Sequence, residues 1–401
     1  PAGAVPYRPA KRRTPVKWGR PIAMTLFLLL VAGIAGLHLI PLPMERYEQT
    51  ASAVLGTPVR IESGRLSLIG GPHLAFSGVR IGDAVRIRRA NAYPEIGSFF
   101  DERKAFRRIE AEGAAVPQQA LGAALFGRAR GDQFTVARVV LKDVKLEGTL
   151  PLPPLEAEAL LGPDGAVRSV RLRGPDGLAG TLTPAGQAVE FDVTAERFTV
   201  PFAPEVALSS FAMKGKATSQ SLEVASWGGA VLDGALSGVA NVRWTSRWEV
   251  NGALTVRGIN AAVFAPALLS EGKAEGSGKF VMAGADPAAL AAGARLEGSF
   301  TVHKGVLGNI DLSRVIQTGG RQHAGRTQFV ELKAQGLYDR GAIALRDIAI
   351  SAGALNAGAS ADIAQNGALS GRIVADVKTA SQTLRQTLQL GGTVKEPQVR
   401  N

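Results

Sequence analysis

The chain is 401 residues long, with 48 glycines, no cysteine, 6% aromatic residues and a formal charge of +12. This composition excludes a disulfide scaffold and thiolate chemistry, and it suits short strands joined by tight turns better than a helical bundle. Half of the charge excess (Arg8, Lys11, Arg12, Arg13, Lys17, Arg20) falls in the first twenty residues with no acid beside it. The rest is spread thinly and lacks the aromatic-plus-basic platform of a nucleic-acid binder, so no nucleic-acid partner is expected.

Residues 1–20 read as a basic cytoplasmic tail and 21–43 as a transmembrane helix. From Ile22 to Ile40 only Thr25 and His38 interrupt the apolar run, and nineteen residues at about 1.5 Å each cover roughly 28 Å, enough to cross a hydrocarbon core. A signal peptide has a shorter apolar centre and a small-residue cleavage site, whereas this run ends in Pro41, Pro43 and Glu45-Arg46. The positive-inside rule keeps the tail in the cytoplasm and translocates everything after about Leu42. In a Gram-negative bacterium that means a single-pass protein of the inner membrane with its bulk in the periplasm.

Residues 44–55 form an amphipathic helix stopped by Gly56 and Pro58. Period two then takes over. Val189, Phe191, Val193 and Ala195 alternate with Glu190, Asp192, Thr194 and Glu196; Trp248, Val250, Leu254 and Val256 oppose Arg247, Glu249, Asn251, Thr255 and Arg257; Ile373, Ala375 and Val377 oppose Arg372, Asp376 and Lys378. Turn signals recur every eight to twelve residues, among them Gly70-Gly71-Pro72, Gly82-Asp83, Gly174-Pro175-Asp176-Gly177, Asp233-Gly234 and Asn366-Gly367. Short helical patterns fall at 117–127, 260–270, 286–293 (Asp286 as cap, Pro287 first) and 378–388, and Asp311 caps a helix running to about Thr318.

The fold class is therefore mainly β: an N-terminal transmembrane helix, then an elongated, curled antiparallel β-sheet groove with a few short helices. On the order of twenty strands at about 4.8 Å each make a sheet about 100 Å long. Its apolar face is buried in one of two ways, by a pair of closed sandwiches or by curling into an open trough. Small inward residues (Leu236, Gly238, Ala240, Val242; Leu355, Ala357, Ala359, Ala361, Ile363) favour the trough, because they fill a shared core poorly. The groove candidates are Val189, Phe191, Val193, Val250, Leu254, Leu355, Ile363 and Ile373. The basic cluster Arg103, Lys104, Arg107 and Arg108 is the candidate contact for anionic headgroups.

Two stretches carry a family resemblance. The first is "LGTPVRIESGRLSLIGGPHLAFSGVRIGD" (55–83) with "VRIRRANAYPEIGSFFDERKAFRRIEAEGAAV" (85–116), which ends in an Ile109-to-Gly113 step. The second is "GINAAVFAPALLSEGKAEGSGKFVMAGADPAALAAGARLEGSFTVHKGVLGNIDL" (258–312), followed by "TQFVELKAQG" (327–336), "IAISAGALNAGASADI" (348–363) and "LGGTVKEPQVR" (390–400). Their order resembles the opening and the C-terminal region of the AsmA family of envelope proteins, giving an N-terminal β-region at 44–130, a middle β-region at 131–257 matched only in periodicity, and a C-terminal β-region at 258–401. The resemblance implies a groove protein tethered to the inner membrane, supporting phospholipid transport and outer-membrane biogenesis, with acyl chains as its ligands.

The sequence carries no catalytic constellation and implies no cofactor. His38, His73, His303 and His323 lack metal-ligand spacing, and without cysteine a zinc site is not expected. "GGRQHAGR" (319–326) and "GPDGLAG" (174–180) lack the Lys-Ser/Thr ending of a phosphate loop and read as turns. A non-enzymatic lipid binder is the leading expectation. The rival is a structural or assembly subunit that docks its sheet onto a protein partner in a larger membrane complex.

Overall fold

The computed structural model describes residues 42–400 without 96, 98–103, 127–133, 149–151, 201–202, 264–265, 267, 319–323 and 379–380, together with Thr25 and Leu28, both helical. The expected membrane span otherwise lies outside the described residues. Among the described residues no helix is long and apolar enough to cross a membrane.

Twenty-two strands among the described residues form one sheet. β1 (Val59–Ser67), β2 (His73–Ile81), β3 (Val85–Pro94) and β4 (Lys104–Pro117) pair in sequence as antiparallel neighbours. β4 then pairs in parallel with β5 (Phe134–Val136) and β6 (Arg138–Glu147), a junction the sequence did not lead us to expect. A parallel neighbour requires a crossover, since a tight turn can only reverse the chain. The 3₁₀ turn Gln118–Ala120 and helix α2 (Leu121–Phe126) begin it, within the segment expected to be helical. From β7 (Leu155–Leu161) to β22 (Pro397–Arg400) every strand pairs antiparallel with the next, so the sheet stays open and curled.

A repeated local pattern bends it. In Phe76-Ser77-Gly78-Val79, Ala111-Glu112-Gly113-Ala114, Leu141-Lys142-Asp143-Val144, Leu208-Ser209-Ser210-Phe211, Val256-Arg257-Gly258-Ile259 and Leu345-Arg346-Asp347-Ile348, the third residue has φ between 49° and 68°. That left-handed step breaks the period of two, so two apolar side chains three apart reach the same face. Leu208 and Phe211 are both buried, as are Ala111 and Ala114.

Helices cover the apolar face at both ends of the sheet. α1 (Met44–Leu55), ended by Gly56 in the left-handed region, lays Met44, Tyr47 and Ala51 on Val59, Ile61, Phe76 and Val79. On its flank, Glu48 accepts the Ile61 N–H at 2.6 Å and Ser52 accepts the Val59 N–H at 2.8 Å. These are amides of the edge strand, so the helix satisfies donors that would otherwise be open to strand addition. At the other end the connection between β16 (Arg295–Leu307) and β17 (Thr327–Asp339) carries α3 (Leu312–Thr318), which packs on β20 (Leu369–Lys378) and β21 (Thr383–Gly392). Asp311 caps it as expected, accepting the Arg314 N–H at 3.0 Å. Thr327 accepts the Leu312 N–H at 2.9 Å and donates to the Ile310 carbonyl at 2.8 Å, both bonds buried.

Other short helices depart from expectation. The 260–270 segment yields only the 3₁₀ turn Ala261–Val263 before a strand starts at Leu269, and 286–293 forms two 3₁₀ turns, the first capped by Asp286. The 378–388 helix is wrong: the segment enters β21. Leu384 and Leu388 suggest helical spacing, but Leu384, Leu388 and Leu390 alternate with Arg385, Thr387 and Gln389, and Leu388 is fully buried beneath α3.

Candidate functional site: an apolar trough

Registered pairs build the apolar face one residue per strand. A single row runs Leu182, Phe191, Gly215, Val224, Ala240, Gly252, Phe280, Leu296, Tyr338, Ile343, Ile363 and Leu369, each directly opposite the next. Twelve strands at about 4.8 Å put its ends roughly 50 Å apart. Only Tyr338 in the row carries a side-chain polar atom. A row is apolar because the alternate residues of each strand sit on the other face, where Lys214 pairs with Asp192 at 3.0 Å and Lys216 with Glu190 at 3.3 Å.

Glycine on this face is placed under rings. Phe76 faces Gly64, Phe191 faces Gly215, Trp227 faces Gly238, Phe280 faces Gly252, Phe300 faces Gly276 and Phe329 faces Gly305. A Cβ on Gly215 would lie 2.8 Å from the Phe191 ring, and one on Gly252 would lie 2.6 Å from that of Phe280. The ring occupies the space a side chain would take and shields the bare backbone, which is how a glycine-rich strand keeps its pairing. The small inward residues of the sequence therefore do not simply leave space: Gly238 is filled by Trp227, and Ala357 and Ala375 make room for α3.

The eight groove candidates all lie on the apolar face, in three settings. Val189, Phe191 and Val250 are buried in the floor, while Val193 and Leu254 remain half-exposed beside Met213, Trp227 and Phe280. Leu355 and Ile373 are packed into the core that α3 covers, where Val315, Ala375 and Leu388 have 0% exposure. Ile363 is half-exposed, directly opposite Ile343 on one side and Leu369 on the other. The trough is thus plugged at its C-terminal end and open in the middle.

Of the headgroup candidates, Arg107 and Arg108 turn to opposite faces of β4. Arg103 lies outside the described residues and Lys104 begins β4. Arg107 is exposed, but Arg108 turns to the opposite face, over the Tyr93 ring at 4.4 Å and paired with Glu110 at 3.0 Å. His73, read as a turn residue, opens β2 instead: it is buried, stacked on Tyr93, and its Nδ1–H donates to the Gly71 carbonyl at 2.8 Å. Among the described residues no three His, Asp or Glu side chains cluster as metal ligands do.

Sequence reasoning missed Met213, Trp227, Phe280 and the helical plug. Trp227 follows a bulge that breaks the alternation of its strand, so its face depends on register. The α3 segment was found, yet its seat on strands remote in sequence has no local signal. No family model, curated protein or solved structure matches this chain.

Proposed function

We infer that this protein is an AsmA-type carrier, anchored in the bacterial inner membrane by residues 21–43, whose periplasmic trough holds lipid acyl chains non-covalently and without catalysis. The observation that carries this reading is the unbroken apolar row of about 50 Å whose middle section is half-exposed rather than sealed. An acyl chain in water costs about 0.8 kcal/mol per exposed methylene, so a guest gains most from a lining that is continuous. The outer face of paired charges keeps such a sheet soluble while the inner face stays greasy. The rival role, docking by strand addition, is disfavoured at the start of β1, where Glu48 and Ser52 already occupy the Ile61 and Val59 amides.

Photo-crosslinking amino acids at Val193, Trp227 and Leu254 test the reading in cells. Phospholipid adducts at all three are expected. Protein adducts alone would replace the carrier with an assembly subunit.

A further inference from the structure

Directly opposed charges on this sheet are of opposite sign almost everywhere: Glu190 faces Lys216, Asp192 faces Lys214, Lys279 faces Glu297 and Arg295 faces Asp339. Among the described pairings, the Asp, Glu, Lys and Arg residues break this rule in one place. Arg60 faces Arg80, and Arg80 faces Arg86, on β1, β2 and β3. All three are exposed, on the face opposite Val59, Val79 and Ile87. The row continues through the small Ala115 to Lys145, also exposed. Glu62 pairs with Arg80 at 3.3 Å, with both side chains more than 60% exposed, and Arg60 and Arg86 have no ion-pair partner among the described residues. Like charges facing one another across strands are unfavourable, and a chain that matches its charges elsewhere keeps this row at a cost to its own stability.

We propose that the Arg60–Arg80–Arg86 row, extended by Lys145, is a docking surface for the anionic face of the bilayer in which this chain is anchored. The inference rests on the membrane reading of residues 22–40. Cations spaced about 4.8 Å apart form a strip that meets lipid phosphates laid out in a plane. Position selects the bilayer over a soluble anion. Leu42, two residues past the apolar run, bonds through its N–H to the Gly64 carbonyl of β1 at 3.5 Å. Arg60 lies four residues from Gly64 on that strand, about 13 Å away, so a first sheet section leaning on the membrane brings the row into the headgroups.

The chain has no cysteine, so Ala115→Cys in the full-length protein gives a single fluorophore site within the row. The labelled protein is placed in nanodiscs carrying a headgroup-quencher lipid, in phosphatidylcholine with or without phosphatidylglycerol. Quenching should be at least about fivefold stronger with the anionic lipid and fall as salt is raised. Arg60→Gln, Arg80→Gln and Arg86→Gln combined should abolish the difference, and the three Lys variants should retain most of it. The Gln triple variant should also melt at a higher temperature than wild type, because it removes the repulsion. Quenching indifferent to lipid charge, or a lowered melting temperature in that variant, overturns the proposal. Phospholipid capture at Leu254 is independent of the docking row: capture without charge-dependent quenching sinks this inference alone, and quenching without capture sinks the carrier reading alone.

Discussion

Glycine does two jobs in this chain, and they predict different responses to substitution. At Gly78, Gly113 and Gly258 the backbone sits at φ 63° to 68°, where a Cβ costs roughly 1–2 kcal/mol of strain. Asp143, Ser210 and Asp347 occupy equivalent bulge positions, so short polar residues tolerate the step when the strand gains a second inward apolar residue from it. Gly252 is different: its backbone is ordinary, and the constraint is what lies above it. A Cβ there would meet the Val239 carbonyl oxygen and the Phe280 ring. Gly252→Val is expected to lower stability by about 1–3 kcal/mol, as overpacking does, and to push Phe280 off the floor of the trough. Thermal denaturation reads the first effect, and a near-ultraviolet circular dichroism change the second. An unchanged melting temperature would mean that rings and glycines merely coincide.

At the scale of elements, α1 and α3 do what strands cannot. The edge amides of β1 need acceptors, and Glu48 and Ser52, four residues apart on one flank of α1, supply them. A hydrogen bond to a charged acceptor contributes about 1.5–3 kcal/mol. Glu48→Ala should therefore destabilise by a comparable amount and free the edge, giving sheet-mediated dimers detectable by light scattering in detergent; a monomer of unchanged stability would show that the bond is incidental. The strands were legible because alternation is local. Val189 to Glu196 announce their two faces without help from neighbours, and the turns at Gly174–Gly177 and Asn366-Gly367 fall where their residues require. The β21 segment was misread because Leu384 and Leu388 satisfy a helical spacing as well as a strand spacing, and burial under α3 decides between them. The parallel step from β4 to β6 is invisible locally too, since nothing in either strand records which partner it takes.

For the whole molecule, the decisive feature is that one apolar face serves two purposes along its length. Near β20 and β21 it is a conventional core closed by Leu312, Val315 and Ile316, whereas around Trp227, Leu254 and Phe280 the same face has no helix above it among the described residues. The groove candidates were thus legible as a face but not as a gradient, because Leu254 and Leu355 have the same alternation and differ only in what a distant segment lays over them. A carrier reading makes that gradient measurable. Crosslinkers at Leu254 should capture phospholipid, while crosslinkers at Leu355 should capture chiefly residues of α3. Leu312 is 1% exposed, so Leu312→Ala removes a buried anchor and should cost about 2–5 kcal/mol, loosening the plug. In that background phospholipid adducts should appear at Leu355 while those at Leu254 persist. Equal capture at both positions in the wild-type protein would mean that α3 does not close the trough, and adducts at neither position would leave the apolar row as core alone.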